Sequence, residues 1–207
     1  MTGTGLVHST AIVLLGLIHM AAESRTFQHA SRSGGAPDPL AGPVHDKLWL
    51  ASCLLFVTHI GVCVFAALWL APTVTGGFLA ILAGMLAVCA GIVLRCRTIE
   101  RLGTAFARPE IGANALVTDG VFGVVRHPSE TGLALITIGL LLLAPQFWPL
   151  LTCMCVLASA AIRIRREDRG LSEKFGSGHA FYREQIPAVW PGYGGWRQLL
   201  GRDLQSG

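Results

Sequence analysis

Residues 114–132 read N-A-L-V-T-D-G-V-F-G-V-V-R-H-P-S-E-T-G, and residues 163–191 read R-I-R-R-E-D-R-G-L-S-E-K-F-G-S-G-H-A-F-Y-R-E-Q-I-P-A-V-W-P. The first stretch runs into two apolar segments, Pro128 to Ala144 and Gln146 to Ile162, parted by little more than Pro145; the second stretch follows them. Apolar segments joined this closely predict a tight helical hairpin. Pro128 suits the first helical position, where an N–H would have no partner anyway. Two polar, charge-bearing segments therefore bracket a hydrophobic hairpin and return to one membrane face. There they can build a site for a charged ligand next to lipid.

The rest of the chain carries the same signature. Leu6 to Ala22, Leu48 to Leu70 and Thr75 to Leu94 contain no Asp, Glu, Lys or Arg. Each approaches the roughly 20 residues that cross about 30 Å of hydrocarbon. Of the 207 residues 52% are hydrophobic and 14% charged, with a mean hydropathy of +0.57, against about 25% charged in a soluble domain. The expected class is all-α: a polytopic integral membrane protein with about five transmembrane helices and a short cytoplasmic helical segment near the C-terminus. No Lys or Arg precedes Leu6, so the first run lacks the basic start of a cleaved leader and reads as a span.

Basic residues set the expected orientation. Of the 16 Lys and Arg, three lie between the first two runs, five between the third and fourth, and eight after Ile162. Five spans with the N-terminus outside and the C-terminus in the cytoplasm put all of them on one side, as the positive-inside rule requires. The net charge of +4 then reports orientation and contact with anionic headgroups, not nucleic acid.

The chain reads as one membrane domain over 1–207, with N-terminal helices in 1–95 and a cofactor-binding, catalytic half in 96–195 that holds the hairpin 128–162. Ala30 to Asp46, rich in Gly and Pro, reads as a cytoplasmic loop. Arg95 to Val125 has too many glycines to be one regular helix. Ile164 to Lys174 continues the last span, Gly176 and Gly178 break it, and Ala180 to Gln185 forms a short further helix. The six cysteines show no C-x-x-C spacing and read as buried free thiols, not disulfides or metal ligands. Gly132 and Gly139 suit close helix packing.

Two constellations carry chemistry. Arg163 and Glu167, four apart, share a face where the last span leaves the membrane. Snorkelling arginines and a surface ion pair account for that spacing, but so does a site. A carboxylate there can bind an ammonium or ribose hydroxyls, and a guanidinium can orient a carboxylate. Arg126-His127-Pro128 stands at the other mouth of the hairpin, where Pro128 disfavours helical geometry at His127. The free N–H groups of the first turn and the imidazole face the same vestibule.

With both constellations in order around one hairpin, residues 114–191 resemble the isoprenylcysteine carboxyl methyltransferase family and its phospholipid methyltransferase-like relatives. The resemblance rests on L-V-T-D-G-V-F leading into R-H-P-S-E-T-G, then Arg163, Glu167-Asp168, Leu171, Phe175-Gly176, Tyr182 and Ile186-Pro187. It implies an integral membrane enzyme with S-adenosylmethionine as cofactor, no metal, and a lipophilic or small membrane-partitioning acceptor. The cofactor would meet Asn114, Ala115, Leu116, Val117 and Phe122, then His127, Pro128, Ser129 and Glu130, and Glu167 across the hairpin. Arg163 and Glu167 would be the catalytic pair, with Arg163 and Tyr182 at the substrate. His127 and Glu167 are expected to approach each other, with Asn114 to Val117 closing the pocket.

The family commonly has Tyr where this chain has Phe122, Glu130 and His179. Glu130 has two readings. It is a first-turn carboxylate favoured by the helix dipole, or it lines the pocket and weighs against a carboxylate acceptor. Prenylcysteine carboxylates, lipid amines, thiols and isoprenoids all stay open as acceptors, and the sequence sets no oligomeric state. Two other readings stand beside the methyltransferase: a sterol-reductase-like, NADPH-dependent membrane reductase, and a non-catalytic membrane subunit that keeps the fold.

Overall fold

The apolar runs become helices in the computed structural model, which describes residues 3–33, 47–69, 78–102 and 115–190. In chain order these are α1 (Gly3–Ser33), α2 (Lys47–Trp69), α3 (Phe78–Leu102), a 3-10 turn (Gly120–Gly123), α4 (Pro128–Leu143), α5 (Phe147–Phe175) and α6 (Ser177–Gln185). No strand occurs among the described residues. Helices α2, α3 and α5 are long and apolar enough to cross a membrane; Ser9–Ala22 within α1 and the whole of α4 are shorter apolar helices.

The bundle is apolar on both sides of its wall, as an α-helical membrane protein must be. Its interior holds Ile12, Phe56, Val88, Leu133, Ile136, Leu140 and Val156. Its outer face shows Leu54, Val57, Leu86, Val93, Leu151 and Met154 to the surroundings. Several buried polar groups bond from helix to helix. His59 on α2 meets the Thr152 hydroxyl on α5 at 2.8 Å and the Thr137 carbonyl on α4 at 3.1 Å. Ser52 and Ser159 lie 2.6 Å apart. Such bonds hold helices together where lipid offers no hydrophobic contrast.

The closest packing joins α3 to α4, and glycine makes it possible. A Cβ on Gly91 would stand 2.5 Å from the Gly132 carbonyl oxygen, and one on Gly84 would stand 2.9 Å from that of Gly139. The two antiparallel helices thus touch backbone to backbone at two places, seven residues apart on each. One turn beyond Gly91, Arg95 reaches the Ser129 carbonyl at 3.1 Å and its hydroxyl at 3.0 Å. The seam therefore sets where the mouth of the hairpin sits.

Helix α4 begins at Pro128 with His127 as its N-cap and ends at Leu143 with Ala144 as its C-cap, because Pro145 disfavours helical geometry at the residue before it. Helix α5, with 29 residues, is about 43 Å long at ~1.5 Å per residue. That exceeds the roughly 30 Å of hydrocarbon, so the helix is long enough to carry its charged end beyond it.

Several boundaries differ from the sequence reading. Helix α1 runs on through Ala30 to Ser33, into the segment read as a loop; residues 34–46 lie outside the described part. Gly176 alone ends α5, with φ +51° and its N–H on the Ser172 carbonyl at 3.0 Å. Gly178 lies inside α6, which starts at Ser177 and not Ala180. Glycine is cheap there, since first-turn N–H groups lack helical partners in any case. The thiols are all free, but only Cys63 and Cys153 are buried, while Cys89 and Cys155 are exposed. Outward positions in an apolar setting suit a small apolar side chain just as well.

Candidate active site

Three segments converge above the apolar half of the hairpin: residues 115–127, the charged end of α5, and α6 with its trailing residues 186–190. Each is tied by named bonds. The Tyr182 hydroxyl donates to the Phe122 carbonyl at 2.7 Å, which fastens α6 to the 3-10 turn. Arg101 at the end of α3 pairs with Asp119 just before that turn. The N–H groups of Arg126 and His127 donate to the carbonyls of Pro187 and Ala188, each at 2.9 Å. Arg126 Nε donates to the Ile186 carbonyl at 2.9 Å, and the Thr131 hydroxyl lies 2.9 Å from the Val189 carbonyl. Residues 186–189 thus form a strap laid along the start of α4.

Asp168 organises the charges beneath that strap. Its Oδ1 accepts from Arg126 Nη1 at 2.5 Å and from His127 Nε2 at 3.0 Å, and His179 Nε2 stands 3.5 Å away. The Ser172 hydroxyl spans the Asp168 carbonyl at 2.7 Å and His179 Nδ1 at 2.8 Å. His127 turns its other nitrogen to Glu167, with Nδ1 3.3 Å from Oε2. Burial alone disfavours a charged imidazole here. The hydrogen bonds to Asp168 and Glu167, with the charges of both carboxylates, outweigh it and raise His127 to about 9. His179 goes the other way, lowered chiefly by burial. The charged imidazole of the pair at neutral pH is therefore His127.

Against this frame lies a small, partly open cleft, walled by Ala115, Leu116, Val117, Phe122, Glu167 and Tyr182, with Leu102, Arg126, Leu171 and Phe175. Its lining mixes aromatic rings, one carboxylate, one guanidinium and the non-helical backbone of 115–117. Among the described residues, no three His, Cys, Asp or Glu are grouped to hold a metal ion.

Of the residues singled out in the sequence, Ala115, Leu116, Val117, Phe122, Glu167 and Tyr182 share this wall, and Asn114 lies outside the described residues. His127 stands behind Glu167. Pro128, Ser129, Glu130 and Arg163 are not on the wall. Arg163 does not pair with Glu167 along its own helix. Its Nη2 reaches across the hairpin to Glu130 Oε1 at 2.7 Å. Glu130 is only 3% exposed, so it is neither a solvated first-turn residue nor a wall of the cleft.

The sequence reading missed Asp168, Arg126, Arg95 and His179 as organising groups. Asp168 follows Glu167 in a run of arginines that resembles a solvated helix face, and only its adjacency to Glu167 hinted at more. Arg126 was visible beside His127, one residue ahead of the proline that fixes the helix start.

No curated protein matches the chain. A family model does match, over residues 79–178, and that span takes in α3, the glycine seam, the hairpin, Asp168 and the first residues of α6. Residues 79–178, which hold most of the cleft wall together with Arg126, His127, Glu167 and Asp168, thus match the phospholipid methyltransferase family.

Proposed function

We propose that the protein binds S-adenosylmethionine in the cleft beside Glu167 and transfers its methyl group to a lipophilic or small membrane-partitioning acceptor. The observation that carries this reading is Glu167. Its carboxylate walls a cleft lined by aromatic rings and is held from behind by the charged His127, inside a domain that matches a methyltransferase family.

The residues present suit the cofactor. The rings of Phe122, Phe175 and Tyr182 offer flat apolar surface for a purine, and the backbone of 115–117 offers hydrogen-bonding groups for its edge. Glu167 can accept from ribose hydroxyls or an ammonium. When bound, the cofactor supplies an electrophilic methyl group on a sulfonium centre. The chain contributes position: the Tyr182–Phe122 bond and the strap on Arg126 fix the walls, and proximity with alignment is the main source of rate in such a transfer. His127 stays protonated between two carboxylates and keeps Glu167 in one orientation. Arg163, one turn nearer the lipid, serves the acceptor end.

The catalytic half spans residues 96–195 in this reading. The chain crosses the bilayer five times, with an outside N-terminus and a cytoplasmic C-terminus, since all 16 basic residues then face the cytoplasm. Reporter fusions at Gly5 and Gly207 check the orientation, and equal sidedness at the two ends rules it out.

Calorimetric titration of the purified protein with S-adenosylmethionine and, separately, NADPH tests the function. Binding of the first and not the second is expected. Glu167→Gln should weaken it about tenfold or more, the worth of one hydrogen bond to a charged group. An unchanged affinity in folded Glu167→Gln protein removes Glu167 from the site, and binding of NADPH alone turns the reading to a reductase. Labelled cofactor with host lipid extract then identifies the methylated product.

A further inference from the structure

Glu130 sits in the first turn of α4, where its neighbours have their polar atoms matched. Ser129 accepts from Arg95 through both its carbonyl and its hydroxyl. The Thr131 hydroxyl lies 3.0 Å from the His127 carbonyl and 2.9 Å from that of Val189. Glu130 Oε1 accepts from Arg163 at 2.7 Å. Its Oε2 is buried and has no hydrogen-bond partner. Leaving a buried acceptor without a donor costs about 1–3 kcal/mol, more when the group is charged, and nearly all such atoms in folded proteins have a partner. An unmatched carboxylate oxygen here marks a place for a donor from outside the chain.

The position narrows what that donor belongs to. Arg163 keeps 23% of its side chain exposed, so the pair meets the surface at its Arg163 end, with Glu130 Oε2 covered behind it. Arg163 lies one helical turn before Glu167 on α5, towards the apolar run that ends at Ile162. The pair therefore stands between the cleft wall and the lipid-facing part of the hairpin, where a molecule dissolved in the bilayer arrives. A carboxylate serving only as a helix start would face water or the free first-turn N–H groups. Glu130 does neither, being turned across the hairpin to α5.

We infer that Glu130 is the specificity-determining residue for the acceptor: its Oε2 takes a hydrogen bond from an N–H, O–H or S–H group at the polar end of a membrane-partitioning molecule. Arg163 acts as its counter-ion. This rests on the methyltransferase reading for what the acceptor is there to do. A carboxylate end fits poorly, because it has no proton to give Oε2 and its charge is repelled by that of Glu130. The site thus selects protic amines, alcohols or thiols on an apolar tail.

Equilibrium binding of radiolabelled decylamine, decanol and decanoate to the full chain in lipid nanodiscs, with empty discs as background, tests this directly. The native protein should bind the amine and the alcohol at least about tenfold more tightly than the carboxylate, the difference made by one charge-assisted bond. Glu130→Gln keeps the size and a bond to Arg163 but should lose most of that preference. Glu130→Asp, which keeps the charge, should retain the rank order with weaker binding. Equal binding of all three ligands, or an unchanged preference in Glu130→Gln, overturns the proposal and leaves Oε2 as the seat of an ordered water. Labelled S-adenosylmethionine, measured on the same native discs, separates the two readings. Failure to bind it sinks the methyltransferase reading, while binding without acceptor preference sinks only the role of Glu130.

Discussion

Asp168→Asn should loosen the whole site although Asp168 does not wall the cleft. The native carboxylate takes bonds from two charged donors, Arg126 Nη1 at 2.5 Å and His127 Nε2 at 3.0 Å. Both donors are more buried than it is, with 9% and 1% of their side chains exposed against 15%. Asparagine keeps the shape and one acceptor oxygen but removes the charge and turns an N–H₂ towards one of the cations. Breaking a buried pair from one side costs about 3–5 kcal/mol. The remaining acceptor and the partial exposure of Asp168 reduce that, so the expected loss is about 3 kcal/mol. The damage should spread to ligand binding, since Arg126 also holds the strap through the Ile186 carbonyl and walls the cleft. Denaturant unfolding in mild detergent measures the first effect, and S-adenosylmethionine titration of the folded fraction measures the second. A variant within about 0.5 kcal/mol of native, the range of an ordinary surface change, would show that Asp168 is a solvated helix residue after all.

Two further perturbations follow. His127 is raised to about 9 in the fold from roughly 6.5 in the unfolded chain, so its contribution is full below about 6.5 and is lost as pH rises through 9. Stability should fall by up to roughly 3 kcal/mol across that window, and His127→Gln should flatten the decline; an equally steep decline in the variant assigns it to other groups. Gly91→Ala would set a Cβ 2.5 Å from the Gly132 carbonyl oxygen, whereas Gly61→Ala meets nothing within 4 Å. The first should lose about 1–3 kcal/mol in detergent unfolding and weaken cofactor binding by moving the Arg95–Ser129 contact, and the second should do neither; equal behaviour of the two refutes the seam.

What the sequence showed and what it hid divide along physical lines. The apolar runs revealed α2 to α5, because an unbroken hydrophobic stretch bounded by charge has few other folds open to it. They could not reveal that α1 continues to Ser33, since S-R-T-F-Q-H-A-S-R-S has no apolar face to mark it as helix. The glycine seam was half legible. Gly132 and Gly139 stood out, but their partners Gly84 and Gly91, at the same spacing, needed the antiparallel register to be known. The Glu130–Arg163 pair was hidden for a similar reason: Arg163 had an acidic residue four positions on, and only the hairpin shows that it reaches across instead.

The positions of the seam and the charge network explain how the proposed cofactor site can sit so close to lipid. Gly91 against Gly132 brings α3 and α4 together one turn from Arg95, and Arg95 grips Ser129, next to Glu130. That contact fixes the start of α4, so His127 and Glu130 leave the same turn in two directions, one to Glu167 and Asp168 and one to Arg163. These three partners lie within the six residues from Arg163 to Asp168, just past the apolar run of α5 that ends at Ile162. Moving α4 along α3 by one residue would break all of these pairings together. The backbone contact at the glycines is what prevents it, and a side chain at Gly91 or Gly132 would act on the chemistry from inside the membrane without touching the cleft.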